Sequence, residues 1–535
     1  MEVGAEAFAR CLPRLRRRIV RAAFVALDME FTGLHSTALQ NNEPSLFDSP
    51  AERYVKARQS VQRFTLVQLG KCCSVTESDL PRSCRYVVHS YNFFLFPSTL
   101  GIRDVEFTLS ASSIQFLSHY GFDYNKFLKD GIPYMNEVQE EILRQHLSAG
   151  TWKVCSTNYA DRDVLKKAID EVTSWIVAAK EEDTMILQDL NGNHMLEVQL
   201  VLRQALEDVW TEPLGDKKVM VKKVSPKHRQ LLENSSYDHC QEKLILLSAR
   251  GFTNLFQILV KAKKPLVGHN MLMDLMHLHD KFYRPLPESY EEFKRNIHNL
   301  FPIIIDTKTV IKSVQKKYLF PRVSSLLEIY EVLCSNLNPK GPPCPVIDLV
   351  SGCSRYAEKK SPHEAGYDAF ICGSVLLMSA HLLLCRSTDD AVEAEPSFSQ
   401  YLTVVAEHVN KVNFIRGGVS SINFSGEDAP CHHPPALVVH VRGWPELTER
   451  QIYQEFKAHC RFDVRRLSKN QFILLSNKYK QVRLVLRDYR HHPHLQVSVY
   501  RHWRHSPSVN CLLQISGIVA LWSLLAFALG GNRSC

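Results

Sequence analysis

The sequence predicts an α/β fold in which a mixed or parallel β-sheet is covered by helices, with smaller domains joined to it. One observation is the alternation of apolar strands with helical stretches over residues 1–150, which returns over residues 246–410. The other is size: 535 residues, 45% hydrophobic and 23% charged, are typical of a globular chain with more than one core. We therefore expect about two to four domains.

The main domain is predicted in two parts. Its first part, residues 1–150, contains apolar strands in FVALDMEF, FTLVQLGKCC and YVVHSYNFFLF, and a helix around SSIQFLSHYGF. Its second part, residues 246–410, contains a helix in FTNLFQILVKA, a strand in KPLVGHN, a helix in MLMDLMHLHDKFY and a strand in FPIIIDTK. A long apolar helix is expected from Asp368 to Leu384.

Residues 151–245 differ from the sequence on either side, because they contain charged helices and a basic strand, KKVMVKKV. A different unit that interrupts an α/β pattern indicates a domain inserted in a surface loop. We expect a small inserted α/β domain here.

A second small domain is predicted after a Ser/Gly/Pro-rich linker at 411–435. Residues 436–500 have the pattern β-α-β-β-α-β. The formal net charge of +9 is concentrated here, since Leu437–Asn510 contains 14 Lys and Arg against 5 Asp and Glu. Such a region favours contact with nucleic acid or an anionic membrane, and a solvated basic face is the alternative.

The C-terminal stretch Cys511–Gly530 contains 20 residues without a charge, about the length of a membrane-spanning helix. Arg501 and Arg504 precede it, and basic residues flank the cytosolic end of a span. The sequence therefore predicts a tail anchor over 511–530 with a cytosolic body. A buried core helix is the alternative.

Asp28 and Glu30 interrupt the first apolar strand. Residues i and i+2 of a strand point to the same face, so the two carboxylates repel each other unless a cation lies between them. Carboxylates without thiolates suit Mg²⁺ or Mn²⁺ rather than zinc, and the 15 cysteines form no C-x-x-C pair. The pattern predicts a metal site if further acids join it.

Two later segments supply further acids. Asp274 follows a Gly-His-Asn turn in the first turn of a helix, where an acid also simply stabilises the helix. Asp368 opens the long helix, and His363 lies five residues earlier. That spacing lets an imidazole reach the site of the acid from outside the helix.

These motifs resemble the DEDDh 3′-to-5′ exonucleases, and more closely the deadenylase branch of poly(A)-specific ribonucleases. The resemblance rests on DMEFTGL, SSIQFLSHYGFDYNKFLKDGIPYMN, LVGHNMLMDLMH, FPIIIDTK and HEAGYDA in that order, and on FDSPAERY. It covers roughly residues 20 to 500. The hydrophobic tail makes the chain most similar to tailed members that shorten piRNA precursors.

The resemblance implies an RNase H-like fold and two-metal hydrolysis. Asp28, Glu30, Asp274 and Asp368 would hold two Mg²⁺ ions, with Mn²⁺ as a substitute, and His363 would accept the proton of the attacking water. Products would be 5′-mononucleotides released from a 3′-hydroxyl end.

The resemblance also implies substrate contacts by Phe31, Thr32, Gly33, His269 and Asn270. Phe31 would stack on a base or fill the core. Asn270 would contact RNA or cap the helix of Asp274.

Both small domains depart from the family pattern. The family's single-strand-binding domain has Arg-x-x-x-His on a helix, and the insert lacks this pair in the expected helix. The C-terminal domain fits an RRM-like fold, but NQFILLS lacks the aromatic motif that stacks bases. We expect it to bind RNA weakly or to mediate dimerisation or protein contacts.

The sequence thus favours a metal-dependent 3′-to-5′ exoribonuclease that trims single-stranded RNA with a 3′-OH end, either poly(A) or piRNA precursors. Two alternatives stay open: a membrane-tethered RNA-binding adaptor with a non-catalytic nuclease fold, and a DNA-proofreading-type exonuclease. The resemblance suggests Piwi–piRNA complexes and a Tudor-type membrane adaptor as partners. The tail suits either the ER membrane or the mitochondrial outer membrane.

Overall fold

The computed structural model describes most of the chain. The described residues are 1–35, 43–76, 85–98, 105–148, 159–190, 192–214, 218–233, 245–317, 320–336, 344–387, 396–431, 436–442, 447–459, 461–476 and 478–530. They divide into two compact units. The first unit comprises Met1–Asn42, Val55–Asn413 and Asn423–Glu427, and the second comprises Glu43–Tyr54, Phe414–Ile422 and Asp428–Cys535.

The first unit is built on a mixed β-sheet, which confirms the predicted α/β class. Its strands are β1 (Glu2–Val3), β2 (Ala22–Phe31), β3 (Leu66–Thr76), β4 (Arg85–Pro97), β5 (Ile132–Tyr134), β9 (Leu266–Gly268), β10 (Ile304–Asp306) and β11 (Val346–Leu349). The order is β1-β4-β3-β2-β9-β10, and β5 and β11 also pair with β4. Strands β2, β3 and β4 are antiparallel neighbours, whereas β9 runs parallel to β2 and β10 parallel to β9.

Helices cover this sheet. They span Ala5–Arg21, Pro50–Arg63, Ala111–His119, Tyr124–Asp130, Glu137–Ser148, Thr253–Ala262, Leu272–Leu278, Tyr290–Leu300, Thr307–Lys317, Leu326–Asn336, Arg355–Glu358, Ala365–Ser387 and Phe398–Val404. The Ala365–Ser387 helix is the core helix, because its apolar side chains pack against β2 residues such as Phe24 and Ala26. It begins three residues before the predicted start at Asp368.

The insert forms its own small sheet and core. Strands β6 (Thr184–Leu187), β7 (Val209–Pro213) and β8 (Val219–Lys223) are antiparallel in the order β6-β8-β7. Helices Tyr159–Ala178, Gly192–Ala205 and Pro226–Glu233 accompany them. Val172, Val198, Leu202 and Val221 are fully buried in its core.

The segment at 411–435, predicted as a linker, contains two short strands, β12 (Lys411–Asn413) and β13 (Ser421–Asn423). Asn410 and Phe424 are joined by a backbone hydrogen bond of 2.8 Å, and Lys294 Nζ donates to the Gly426 carbonyl at 2.9 Å. Within the segment, residues 411–413 and 423–427 therefore belong to the first unit, whereas 414–422 and 428–431 belong to the second.

The second unit contains an antiparallel sheet of β14 (Ala436–Val441), β15 (Asp463–Ser468), β16 (Gln471–Leu475) and β17 (Leu495–Val499) in the order β15-β16-β14-β17. Helices Glu449–Phe456 and Tyr479–Asp488 connect the strands in the order β-α-β-β-α-β. Short helix His502–His505 and helix Pro507–Gly530 follow.

Within the described residues, one helix is long and apolar enough to cross a membrane. It is Ala365–Cys385, with a mean hydropathy of 1.8, and 83% of it is buried in the protein. It is therefore the core helix of the sheet. In the C-terminal helix the apolar run Cys511–Ala526 is exposed to solvent. The tail anchor stays a prediction.

Candidate active site

Strand β2 presents Asp28 and Glu30 on one face. Both are half-buried, whereas the residues that alternate with them are buried on the other face. In the antiparallel pairing with β3, Asp28 lies opposite Gly70 and Glu30 opposite Gln68. The predicted projection of both acids to one side is confirmed.

Strand β3 holds the start of the core helix next to these acids. A Cβ on Gly70 would lie 1.8 Å from the Ala365 carbonyl oxygen, so only glycine permits this approach of strand and helix. Gln68 Oε1 accepts a hydrogen bond from the Ala365 N–H at 3.0 Å. Asp368, in the first turn of the helix, is thereby fixed beside the two acids of β2.

His363 lies in the loop before the core helix and joins the acids. Its backbone N–H donates to Asp368 Oδ2 at 2.8 Å, and its φ of 63° lies in the left-handed region. Its ring packs against Phe116 and Tyr120, with centroids 4.6 and 4.3 Å away. One ring nitrogen of His363 and one carboxylate oxygen from each of Glu30 and Asp368 lie within 4.8 Å of one another.

The fourth acid, Asp274, is in the first turn of helix Leu272–Leu278, as predicted. The Gly-His-Asn turn before this helix is held by the buried carboxylate of Asp306. That carboxylate accepts hydrogen bonds from the N–H groups of Asn270, Met271, Lys308 and Asn413 at 2.8 to 3.2 Å. Asp306 therefore fixes the turn from which Asp274 projects.

Burial raises the pKa of every acid in the cluster of Asp28, Glu30, Asp274 and Asp368, called the acid cluster below. The pKa of Asp28 is well above its usual range, because of burial and then repulsion from the three others. Burial and then repulsion from Asp368 and Asp274 raise the pKa of Glu30 in the same way. Burial raises the pKa of Asp274 and of Asp368 to about 7. Folding thus gathers negative charges in a site where they destabilise one another.

The acid cluster fits divalent cations. Its donors are carboxylate oxygens from a strand and two helix starts, which hard ions such as Mg²⁺ and Mn²⁺ prefer. A cation would also relieve the repulsion that raises these pKa values. The predicted ligand set is therefore compatible with a metal centre.

The chain was compared with known proteins. The family model described as CAF1 family ribonuclease matches residues 3–376. The chain belongs to this ribonuclease family. The predicted resemblance and the predicted enzyme class are both confirmed.

Three relatives of this CAF1-family chain cover nearly all of it. The mouse "Poly(A)-specific ribonuclease PNLDC1" is 56% identical over 532 residues, 99% of each chain. The Bombyx mori "Pre-piRNA 3′-exonuclease trimmer" is 28% identical and covers 98% of this chain and 96% of its own. The Xenopus laevis "Poly(A)-specific ribonuclease PARN" is 26% identical and covers 94% of this chain and 80% of its own.

Phe31, a predicted substrate contact in this CAF1-family chain, is 8% exposed. Its ring stacks on His277, with centroids 4.2 Å apart and planes inclined by 28°. His277 is fully buried on the helix of Asp274, and burial lowers its pKa to about 3. In this conformation Phe31 fills the core, and base stacking stays a prediction.

Thr32 and Gly33 are also buried. Thr32 exchanges hydrogen bonds with Thr65, through its N–H to the Thr65 carbonyl at 2.8 Å and through its hydroxyl from the Thr65 N–H at 3.0 Å. A Cβ on Gly33 would lie 2.4 Å from the ring of Phe64. Residues 64 and 65, which follow helix Pro50–Arg63, therefore contact and position the loop after β2.

His269 and Asn270 lie in the turn fixed by Asp306. His269 Nδ1 is 2.9 Å from Thr307 Oγ1, and burial, followed by the nearby Lys308, lowers its pKa to about 3. Asn270 has a left-handed φ of 60°, and its Oδ1 accepts from Asn413 Nδ2 at 2.8 Å. Met271 is the N-cap of the following helix, with no side-chain capping bond.

A cavity of about 540 Å³ lies beside His363. Positively charged side chains contribute to its lining: Lys126, Arg355, Lys359 and Lys360. Tyr120 lines this cavity, and its ring packs against the ring of His363. Glu2, Asp123 and Glu364 also line the cavity, and Lys126 pairs with Glu2 and Arg355 with Glu364, so the lining has charges of both signs.

Sequence reasoning missed several residues that build this site. Gln68 and Gly70 gave no signal, because their role appears only when strand and helix meet. Asn413 lies more than a hundred residues from the turn it holds. Tyr120 belongs to the motif SSIQFLSHYGF, but the sequence does not show that its ring packs against His363.

Proposed function

We propose that this CAF1-family ribonuclease is a metal-dependent 3′-to-5′ exoribonuclease that trims single-stranded RNA from a 3′-hydroxyl end. The observation that carries the proposal is the convergence of Asp28, Glu30, Asp274, Asp368 and His363 at one end of the sheet. Relatives named as a poly(A)-specific ribonuclease and a pre-piRNA 3′-exonuclease support the direction of cleavage and the class of substrate. Both poly(A) and piRNA precursors are proposed substrates.

Asp28, Glu30, Asp274 and Asp368 would hold two divalent ions, with Mg²⁺ the proposed cofactor and Mn²⁺ able to replace it. When bound, such ions polarise the phosphodiester and stabilise the charge that develops on it. The acids would orient the ions and keep them at the end of the sheet.

His363 would accept the proton of the attacking water on a ring nitrogen. Burial lowers the pKa of His363, so the imidazole is neutral and able to act as a base at physiological pH. The hydrogen bond from the His363 backbone N–H to Asp368 holds the loop, and the contacts with Phe116 and Tyr120 hold the imidazole ring. When the P–O3′ bond breaks, the leaving 3′-oxygen would take a proton from solvent to become the new 3′-hydroxyl, and the protonated ring would return its proton to solvent.

Substrate contacts are proposed for Phe31, Thr32, Gly33, His269 and Asn270. Since the first three are buried in this conformation, their role would be to shape the loop that receives the terminal nucleotide. Lys359, which lines the cavity next to His363, would contact a preceding phosphate.

The tail is proposed to anchor the chain in an organelle membrane, either of the ER or the outer mitochondrial membrane. The exposed apolar run Cys511–Ala526 supports this, because such a surface is unfavourable in water. Piwi–piRNA complexes, a Tudor-type adaptor on the membrane, and a homodimer through the RRM-like domain are further proposals that rest on the family resemblance.

The decisive experiment uses the full chain purified in detergent and a 5′-labelled single-stranded RNA with a 3′-OH. With Mg²⁺, we expect a ladder of products shortened one nucleotide at a time, and no ladder in EDTA. Asp28→Asn should abolish the ladder. A wild-type chain that binds this RNA but never shortens it would instead support the adaptor alternative.

The same assay separates the DNA alternative. A labelled single-stranded DNA of the same sequence should be shortened far more slowly than the RNA. Equal rates on both substrates would favour a DNA-proofreading-type exonuclease and contradict the proposed substrate class.

A further inference from the structure

The C-terminal sheet buries apolar side chains on both of its faces. Its two helices cover one face and bury Leu437, Val439, Phe472 and Leu474. On the opposite face, Val438, Ile473 and Leu475 are only 2%, 9% and 1% exposed. These three side chains lie side by side in the register of β14 and β16. An RNA platform of this fold would leave such a face open and place aromatic rings on it.

The chain's own residues Glu43–Tyr54, called the early segment here, belong to this second unit. Asp463 of β15 accepts a hydrogen bond from the Leu46 N–H at 2.5 Å. The guanidinium of Arg465, two residues further on the same face, lies 4.7 Å from the ring centroid of Phe47. Leu46 is 3% exposed. The early segment therefore lies on the edge of the face opposite the helices.

Arg53 and Arg416 stabilise this contact. Arg53, at the start of helix Pro50–Arg63, donates to Asp48 Oδ2 at 2.9 Å and to the Ile415 carbonyl at 2.6 Å. It also donates to the carbonyl of Arg416, and Arg416 pairs with Asp463. The side chains of Arg53 and Asp48 are only 9% and 2% exposed. Asp463 thus contacts both the early segment and Arg416, and its side chain is half-buried.

Helix Pro50–Arg63 continues from the early segment into the first unit. Arg58 Nε donates to the Leu286 carbonyl at 3.1 Å, and the Val61 carbonyl accepts from Lys281 Nζ at 2.9 Å. Lys281 lies in the π-helical turn that follows the helix of Asp274. Residues 64 and 65, directly after the helix, shape the loop of Thr32 and Gly33.

We propose that the C-terminal β-α-β-β-α-β domain is an intramolecular clamp for residues 43–54, and that it supports trimming through helix Pro50–Arg63 rather than by stacking RNA on its sheet. At the start of helix Pro50–Arg63, Arg53 is bound by Asp48, Ile415 and Arg416. Residues 64 and 65, at the other end of this helix, contact the loop that follows Glu30. Release of the early segment would loosen this loop without removing a catalytic group. The effect on trimming rests on the proposed function, whereas the clamp itself does not.

The test compares full-length wild type with Asp463→Ala, in detergent, by hydrogen exchange and by trimming kinetics. We expect peptides covering 43–54 to exchange much faster in the variant, because the Leu46 N–H and Arg416 lose their shared acceptor. We expect kcat to fall roughly tenfold while KM for RNA stays within about twofold, as for a positioning residue. Circular dichroism checks that the variant is folded.

Two further variants make the result specific. Gln496→Ala removes an exposed polar side chain from β17 at the far edge of the same face, and should leave both readouts unchanged. If Asp463→Ala fails to fold, Asp463→Asn takes its place, since it keeps an acceptor for Leu46 and loses the charge that pairs with Arg416. It should show the same two changes to a smaller extent.

Several outcomes would overturn the clamp. Unchanged exchange over 43–54 in the Asp463 variants would show that Asp463 does not hold the segment. Faster exchange with an unchanged kcat would show that the segment does not support catalysis. A raised KM with unchanged kcat in both Asp463→Ala and Gln496→Ala would show instead that the sheet binds RNA. If the wild type trims no RNA, the proposed function fails, and the exchange result still tests the clamp.

Discussion

Asp306 and the acid cluster lie close together in this protein and differ in what surrounds their carboxylates. Asp306 is fully buried, and its oxygens accept four backbone N–H groups from the Gly-His-Asn turn, the start of helix Thr307–Lys317 and strand β12, which lower a pKa that burial raises. In the acid cluster, the other three acids raise the pKa of Asp28, and Asp274 and Asp368 raise that of Glu30. A carboxylate satisfied by the backbone organises the fold. Carboxylates left to repel each other need a cation, and this marks the functional site.

The largest expected effect comes from removing one acid of the acid cluster. Asp28→Asn keeps the shape of the side chain but removes a metal ligand, so kcat for RNA trimming should fall by roughly three orders of magnitude or more. Single-turnover assays with a 3′-OH RNA measure this. Trimming at a tenth of the wild-type rate would remove Asp28 from the metal ligands.

His363→Ala should have the next largest effect on activity. Loss of a general base typically costs 10²- to 10⁴-fold in rate, and we expect about that loss in kcat. Divalent-ion binding measured by calorimetry should persist, because the four acids are intact. Loss of ion binding in His363→Ala would instead make the imidazole a ligand.

Asp306→Asn tests the organising acid. Its amide would point a donor at backbone N–H groups, so the free energy of unfolding should fall by about 1–3 kcal/mol. Chemical denaturation monitored by fluorescence measures this change. An unchanged stability would contradict the assignment of Asp306 to the fold.

Asp368→Asn should change stability in the opposite direction. Since burial raises the pKa of Asp368 to about 7, its ionised form destabilises the folded state above that pH, where an unfolded Asp is already ionised. At pH 8 in EDTA the variant should therefore be more stable than wild type by about 1 kcal/mol or more. A variant less stable than wild type in EDTA would show that the ionised Asp368 carboxylate does not destabilise the fold.

Mg²⁺ should give the smallest effect. Ions that bind the folded chain alone raise its stability, so the Tm of wild type should rise with Mg²⁺ by a few degrees. The Tm of Asp368→Asn should respond much less, because this variant lacks one proposed metal ligand. Equal responses in both proteins would contradict the assignment of Asp368 to the metal site.

Much of this site was predictable because its parts are local patterns. The period of two in β2 placed Asp28 and Glu30 on one face, and the five-residue spacing placed His363 near Asp368. What the sequence could not supply is the meeting of distant segments. Gln68, Asn413 and the early segment act across the fold, and their own neighbours in the sequence give no sign of it.

The two apolar helices show a second limit. Ala365–Cys385 and the C-terminal run Cys511–Ala526 are both rich in apolar residues. The first is buried against the sheet, whereas the second is exposed. Composition alone did not separate a core helix from a candidate anchor, since the difference lies in what packs against each helix.

Calorimetric titration of Mn²⁺ into the metal-free chain tests whether the acid cluster is the metal centre. We expect wild type to bind two divalent ions per chain and Asp28→Asn to bind them far more weakly. Undiminished binding by Asp28→Asn would contradict the assignment of the acid cluster as the metal centre.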